Sequence, residues 1–407
     1  MPAGLRWHDG NRIELLRNGE QFFPALLRAF DHARGSIHLE TYIFNLDRTG
    51  LMVLEHLRRA CERGVKVRVV IDGFGTNNQA AQVSRRLAEM GAMCRIYRPE
   101  PTGMGHLRLA VNRLRRMHRK LVVVDGHIAF VGGINIIDDF ENVPDDGEGP
   151  RPRFDFAVRM QGPIVADADS AQRALWLQLG RRLKTLDTPT ARTRVVNWIR
   201  RRLHRQAAAL PRFAPGVRAA FLLRDNLRFR QTIENAYLGA IEKANHEILI
   251  ANAYFFPGRR LRRALEHAAQ RGVRVRLLLQ GRSEYLLQYL ASRSMYGKVL
   301  DDGIELHEYM ASYLHAKVAV IDDSAMVGSS NLDPFSLLLA REANVFVQDS
   351  GFAAKLKASL ETEIASNSSE VTLASLQQRG LLTRLVDSLA YTLLRIGVAL
   401  TGKGSEY

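Results

Sequence analysis

Two stretches of the chain carry the same chemistry at the same spacing. Met117-His118-Arg-Lys120-Leu-Val-Val-Val-Asp125 leads to Phe130-Val-Gly132-Gly133-Ile-Asn135, and Leu314-His315-Ala-Lys317-Val-Ala-Val-Ile-Asp322 leads to Val327-Gly328-Ser329-Ser330-Asn331. Both read His-x-Lys, four apolar residues, Asp, then a small-residue turn and Asn. From this composition one accidental match is expected about once in a hundred such chains, so two are far beyond chance. The lysines sharpen the signal, because the chain has 49 arginines and 9 lysines, yet both equivalent positions are lysine. A compact ammonium is not interchangeable with a forked guanidinium where a point charge must sit beside one phosphate oxygen.

In a strand, His118 and Lys120 lie two apart and share a face, as do His315 and Lys317. Brought together, the four groups make a pocket for a phosphodiester. Lys120 and Lys317 face its equatorial oxygens, with Asn135 and Asn331 as amide donors and Ser329 as a hydroxyl donor. One imidazole attacks in line and the other protonates the leaving alcohol. Two lysines can supply charge stabilisation that other phosphoryl-transfer enzymes draw from metal ions. Cys61 and Cys94 are isolated and no His pair stands at ligand spacing beside carboxylates, so no metal or cofactor is expected. A nucleophilic imidazole needs its far nitrogen anchored by an acceptor. Glu342, 27 residues past His315, is a plausible anchor, and Asp155, 37 residues past His118, is its counterpart.

The elements that must position these groups also repeat. Ser36 to Phe44 and Glu247 to Phe255 alternate like strands, and each is followed by a helical stretch that stops at Arg63-Gly64 or Arg271-Gly272. Val65 to Ile71 and Val273 to Leu279 read as strands running into the turns Asp72-Gly73 and Gln280-Gly281. Further helices stop at Gly91 and Gly303, before short strands ending in Tyr97 and Tyr309. Two such series imply two α/β units about a pseudo-twofold axis, with a site at the seam drawing on both. The expected limits are a first lobe over 1–180, a basic linker over 181–217, a second lobe over 218–365 and a tail over 366–407. Within the linker, Val195 to Leu210 has the pattern of a basic amphipathic helix.

The 407 residues carry a net charge of +16, which favours polyanions such as anionic lipid headgroups or nucleic acid. No signal peptide is visible, and no apolar run reaches the ~18 residues that a spanning helix needs. Two cysteines cannot form a disulfide framework, which fits a reducing compartment. In the tail, Leu382, Leu385, Val386, Leu389, Leu393, Ile396 and Leu400 recur at three- and four-residue spacing. Two readings compete, an interfacial helix or a tail packed on its own domain, and the first is favoured.

The duplicated motif, with Gly-Gly-Ile-Asn and Gly-Ser-Ser-Asn after it, resembles the phospholipase D superfamily over roughly residues 10–365. Leu39-Glu-Thr-Tyr-Ile-Phe44, Ala251-Asn-Ala-Tyr-Phe-Phe-Pro257 and Gly328-Ser-Ser-Asn-Leu-Asp-Pro334 are similar to bacterial cardiolipin synthases without N-terminal membrane spans. The resemblance implies a two-lobed duplicated α/β/α sandwich with mixed sheets and a phosphohistidine intermediate. It casts His118 as nucleophile and His315 as general acid, and it counts Asp125 and Asp322 in the catalytic motif as residues that stabilise the site structurally. The implied reaction moves a phosphatidyl group onto phosphatidylglycerol at an anionic phospholipid membrane, peripherally on the cytoplasmic face of a bacterial inner membrane. Nucleic acid is not expected as a partner, and the oligomeric state stays open. Transfer rather than hydrolysis requires an apolar mouth, for which Tyr42, Phe44, Tyr254, Phe255 and Phe256 are candidates. A hydrolase or nuclease of the same superfamily remains the alternative; a non-catalytic polyanion-binding module is disfavoured by two complete motifs.

Overall fold

The computed structural model describes residues 5–99, 115–145, 147, 149–181, 210–225 and 229–398. The first lobe runs β1 (Trp7–Arg17), α1 (Asn18–Asp31), β2 (Ser36–Thr41), α2 (Arg48–Glu62), β3 (Lys66–Asp72), α3 (Ala80–Glu89), β4 (Met93–Tyr97), β5 (Lys120–Val124), β6 (Ile128–Gly132), β7 (Phe156–Gln161) and α4 (Val165–Arg181). The second repeats it with β8 (Val217–Arg224), α5 (Thr232–Ile241), β9 (Glu247–Asn252), α6 (Arg259–Gln270), β10 (Arg274–Gln280), α7 (Leu286–Arg293), α8 (Tyr296–Asp301), β11 (Glu305–Tyr309), β12 (Lys317–Ile321), β13 (Ser324–Gly328), β14 (Glu342–Gln348) and α9 (Ser350–Asn367). β15 (Ser368–Val371), α10 (Leu373–Gln377) and α11 (Leu381–Val398) follow.

Among the described residues the strands form one 15-stranded sheet, ordered β15-β11-β10-β9-β12-β13-β14-β8-β1-β7-β6-β5-β2-β3-β4. Read outward from the centre, β8-β14-β13-β12-β9-β10-β11 matches β1-β7-β6-β5-β2-β3-β4 strand for strand. The two halves join where β1 and β8 pair antiparallel, so the expected pseudo-twofold axis crosses this seam. The second lobe reaches past residue 365, because β15 pairs with β11 and closes its outer edge.

The strands carrying the motifs are apolar on both faces because both faces are covered. Val122 and Val124 pack with α1 to α3, while Leu121 and Val123 join a core shared between the lobes. That shared core includes Val165 of α4 and Leu356 of α9. The helix stops fall at the expected glycines: Gly64 and Gly272 take φ +83° and +86°, which a side chain disfavours. α2 and α9 start at Asp47 and Asp349, whose carboxylates accept from Gly50 N at 2.8 Å and Phe352 N at 2.7 Å. The basic helix expected over Val195 to Leu210 lies, save for Leu210, outside the described residues.

Candidate active site

Each motif histidine sits just ahead of its strand and is held by the other lobe. His118 N donates to Arg341 O at 3.0 Å, and His315 N donates to Phe154 O at 2.9 Å. The residue after each of those carbonyls is a carboxylate. Glu342 therefore meets His118 Nδ1 at 3.0 Å, and Asp155 meets His315 Nδ1 at 2.6 Å. The anchors cross, so neither half is complete alone. Spacing identifies the two carboxylates; only the β1–β8 seam decides which imidazole each one serves.

Lys120 Nζ curls back to His118 O at 2.8 Å, and Lys317 Nζ donates to His315 O. Each ammonium is thus fixed beside the imidazole of its own motif. Burial lowers Lys120 to about 7 and Lys317 to about 8, the first restrained by Glu342 and the second by Asp155. Burial also lowers both histidines, and His315 further feels Lys317, Lys120 and His118. The four motif groups therefore act on one another inside a single site.

The small-residue turns differ between the lobes because they serve different carboxylates. A Cβ on Gly133 would lie 2.2 Å from Asp155 Oδ1, so only glycine leaves room for that carboxylate. At the equivalent position Ser329 donates its hydroxyl to Glu342 Oε2 at 2.5 Å. The expectation that Ser329 donates to phosphate is corrected here: it is buried and clamps Glu342 instead. Asn135 and Asn331 are buried at the site. Asn135 accepts from Ile43 N at 3.1 Å through its amide oxygen, while the amide oxygen of Asn331 has no partner among the described residues. Their amide NH2 groups remain the candidate phosphate donors.

Asp125 and Asp322, grouped with the catalytic residues by the motif, lie outside the reacting cluster. They follow β5 and β12, ~16 Å of strand beyond the lysines. Asp125 accepts from the backbone N–H groups of Arg34, Gly35 and Ser36 at 2.7–2.9 Å, and Asp322 from those of Asn245, His246 and Glu247 at 2.9–3.0 Å. Burial would raise both carboxyls, but these donors hold them below the usual range. Their work is to pin the start of β2 and β9 beneath the motif strands.

Two positioning residues stand at positions that read as turns in the sequence. Asp72, ending β3, accepts from Met117 N at 2.8 Å, and Gln280, ending β10, accepts from Leu314 N. Each grips the peptide just before a histidine, and their matched places after Val-Val-Ile71 and Leu-Leu-Leu279 are the sequence signal for them. Of the aromatic candidates, Phe44, Phe255 and Phe256 are buried in the core just past the ends of β2 and β9, where Phe44 bridges to Ile136 and Phe255 to Leu332. Tyr42 and Tyr254 flank the site. Tyr42 packs edge-on to His118 with centroids 4.7 Å apart, and Tyr254 donates to Glu284 at 3.4 Å and meets Tyr285 at 5.9 Å.

A doubled His–Lys unit with crossed carboxylates, on two fused α/β lobes, is the arrangement of a phosphodiester-transfer enzyme. Residues 26–139 and 237–364 match the family described as cardiolipin synthase, PLD-like domain. Cardiolipin synthase B of Escherichia coli strain K12 is 39% identical over 398 residues, covering 97% of this chain and 91% of that one. The probable cardiolipin synthase YwiE of Bacillus subtilis is 28% identical, covering 95% of this chain and 73% of that one. The crystal structure of phosphatidylserine synthase from Haemophilus influenzae has the same fold, with a TM-score of 0.68 at 15% identity over 98% of this chain and 97% of that one. The chain belongs to the phospholipase D-like cardiolipin synthase family.

Proposed function

We propose that this chain is a phosphatidyltransferase that makes cardiolipin from two molecules of phosphatidylglycerol. The observation that carries the reading is the pair of crossed histidine–carboxylate contacts flanked by two buried lysines. The sequence likeness to cardiolipin synthases supports the substrate class.

The two imidazoles differ in a way that suits different roles. His118 donates Nδ1–H to Glu342, which leaves the Nε2 lone pair for phosphorus. At the other centre, burial raises Asp155 to about 7 and lowers His315, so the pair shares a proton and presents Nε2–H to a leaving group. In the first step His118 Nε2 bonds to phosphorus, the bond to the glycerol headgroup oxygen breaks, and the His315–Asp155 pair protonates that oxygen. In the second, a headgroup hydroxyl of another phosphatidylglycerol gives its proton to the same pair and attacks phosphorus. The phosphorus–nitrogen bond breaks and His118 is restored. Lys120 and Lys317, charged beside the bound phosphate, hold its non-bridging oxygens through both steps.

The peripheral placement on the cytoplasmic face of a bacterial inner membrane is part of the same proposal. No helix among the described residues is long and apolar enough to cross a membrane, and Cys61 and Cys94 are unpaired thiols.

Phosphatidylglycerol vesicles incubated with the protein should yield cardiolipin and glycerol by mass spectrometry; phosphatidic acid alone would favour the hydrolase. The rate should be bell-shaped in pH. It rises as His118 loses its proton below 6.5, and it falls through about 7 as the His315–Asp155 pair loses its own and Lys120 its charge. Asp155→Asn should make the alkaline limb shallower, leaving the Lys120 step, and keep the acid limb in place.

A further inference from the structure

α11 is seated on the second lobe by a narrow face. Leu394 packs with Ala291 and Met295, the Tyr391 ring lies 5.2 Å from Phe256, and Asp387, 2% exposed, pairs with Arg379 at 2.7 Å. Leu394, Tyr391 and Asp387 together define the face that the helix turns inward. As a result Leu382, Leu385, Val386, Leu389, Leu393 and Ile396 point to solvent, Leu382 at 75% and Leu389 at 60% exposure. The two readings of the tail are therefore not exclusive: one face packs on the protein while the longer apolar face is left open.

An uncovered stripe of this kind marks an interaction surface rather than an ordinary protein exterior. The helix packs along α7, at whose start Tyr285, Leu286 and Leu287 are also exposed. Tyr285 is the link to the site, meeting Tyr254 at the mouth and lying close enough to Tyr42 for the two phenols to influence each other. Positive charge flanks the surface. Arg384 and Arg395 are exposed on α11 itself, and α6 opens with exposed Arg259 and Arg260, the second paired with Glu234 at 3.6 Å, three and four residues after the Phe256 that meets Tyr391.

We propose that the solvent face of α11 together with the start of α7 docks on an anionic bilayer, seating the apolar stripe at the headgroup–acyl boundary so that the mouth opens onto the lipid headgroups. The inference rests on the phospholipid reading of the site and adds where the lipid surface lies. A bilayer fits better than a second copy of the chain, because a partner on Tyr285 to Leu287 would obstruct the approach of a two-chain lipid, whereas a bilayer delivers it.

The test uses the full chain and a Leu385→Glu/Leu389→Glu variant, both changes being on exposed positions. Flotation with vesicles of phosphatidylglycerol and phosphatidylcholine should show binding weakened by about a hundredfold or more, roughly tenfold for each leucine. Turnover of short-chain phosphatidylglycerol below its micelle concentration should stay within about twofold of the parent. As a second readout, Leu389→Trp should give a blue-shifted emission when these vesicles are added. Undiminished vesicle binding by the double variant, or no shift from the tryptophan, overturns the proposal. Conversion of a dimeric parent to a monomer with vesicle binding kept overturns it in favour of a second copy. A parent that binds through this face yet forms no cardiolipin would leave the docking surface standing and sink the proposed reaction instead.

Discussion

His118→Ala should abolish cardiolipin formation, with a loss of about ten-thousandfold or more, and leave vesicle binding unchanged. In the proposed mechanism its imidazole is the group bonded to phosphorus between the two half-reactions, so its removal takes away the carrier of the phosphatidyl group. His118 also ties Glu342 to the first lobe, and its removal leaves a buried carboxylate held mainly by Ser329. A lower melting temperature, by about 1–3 kcal/mol of lost stability, is expected alongside the lost activity. His315→Ala should be as inactive on phosphatidylglycerol for a different reason, since its glycerol oxygen leaves only when protonated. A phosphatidyl ester of p-nitrophenol, whose leaving group needs no proton, separates the two. Release of p-nitrophenol should survive in His315→Ala and be absent in His118→Ala. The reverse pattern would exchange the assigned roles.

Lys317→Arg should lower kcat by a hundredfold to a thousandfold although the charge is kept. Lys317 has 0% exposure and its ammonium is committed to His315 O among Asp155, Glu284 and Glu342. A guanidinium is wider, presents its donors in a plane, and overpacks a cavity shaped for a compact ammonium. It also never releases its proton, whereas burial brings Lys317 down to about 8, where phosphate binding can settle its charge. The same change at exposed Lys298, paired with Asp302 on one turn of α8, should be silent and serves as the control. Steady-state rates for the two variants check this; equal activity would mean that charge alone suffices at the site.

The part of the site carried by neighbouring residues is legible in the amino-acid sequence. His118 with Lys120 and His315 with Lys317 are two apart on a strand, so alternation alone puts each pair on one face, and the duplication marks both as functional. What depends on contacts between distant segments is not legible there. Whether Glu342 serves His118 or His315 turns on the β1–β8 seam, which joins lobes more than 200 residues apart in sequence. Asp72 and Gln280 read as turn residues because their partners, the amides of Met117 and Leu314, lie 45 and 34 positions further on. Ser329 reads as a phosphate donor because a hydroxyl beside a motif asparagine has that chemistry, and only its burial against Glu342 redirects it. Phe44, Phe255 and Phe256 share the sequence character of Tyr42 and Tyr254, and contacts with distant residues such as Ile136 and Leu332 separate the buried ones. In the tail, apolar spacing predicts the helix, but the face it turns to solvent depends on the packing of Leu394 and Tyr391 against Ala291, Met295 and Phe256.

The claim that the lobes act as one covalent relay is tested most directly by trapping the intermediate. His315→Ala mixed with the p-nitrophenyl phosphatidyl ester and quenched under alkaline conditions should carry one phosphatidyl adduct per chain. Peptide mass spectrometry should place it on His118, with p-nitrophenol released in a burst of equal size. An adduct on any other residue, or a burst without an adduct, would contradict the account.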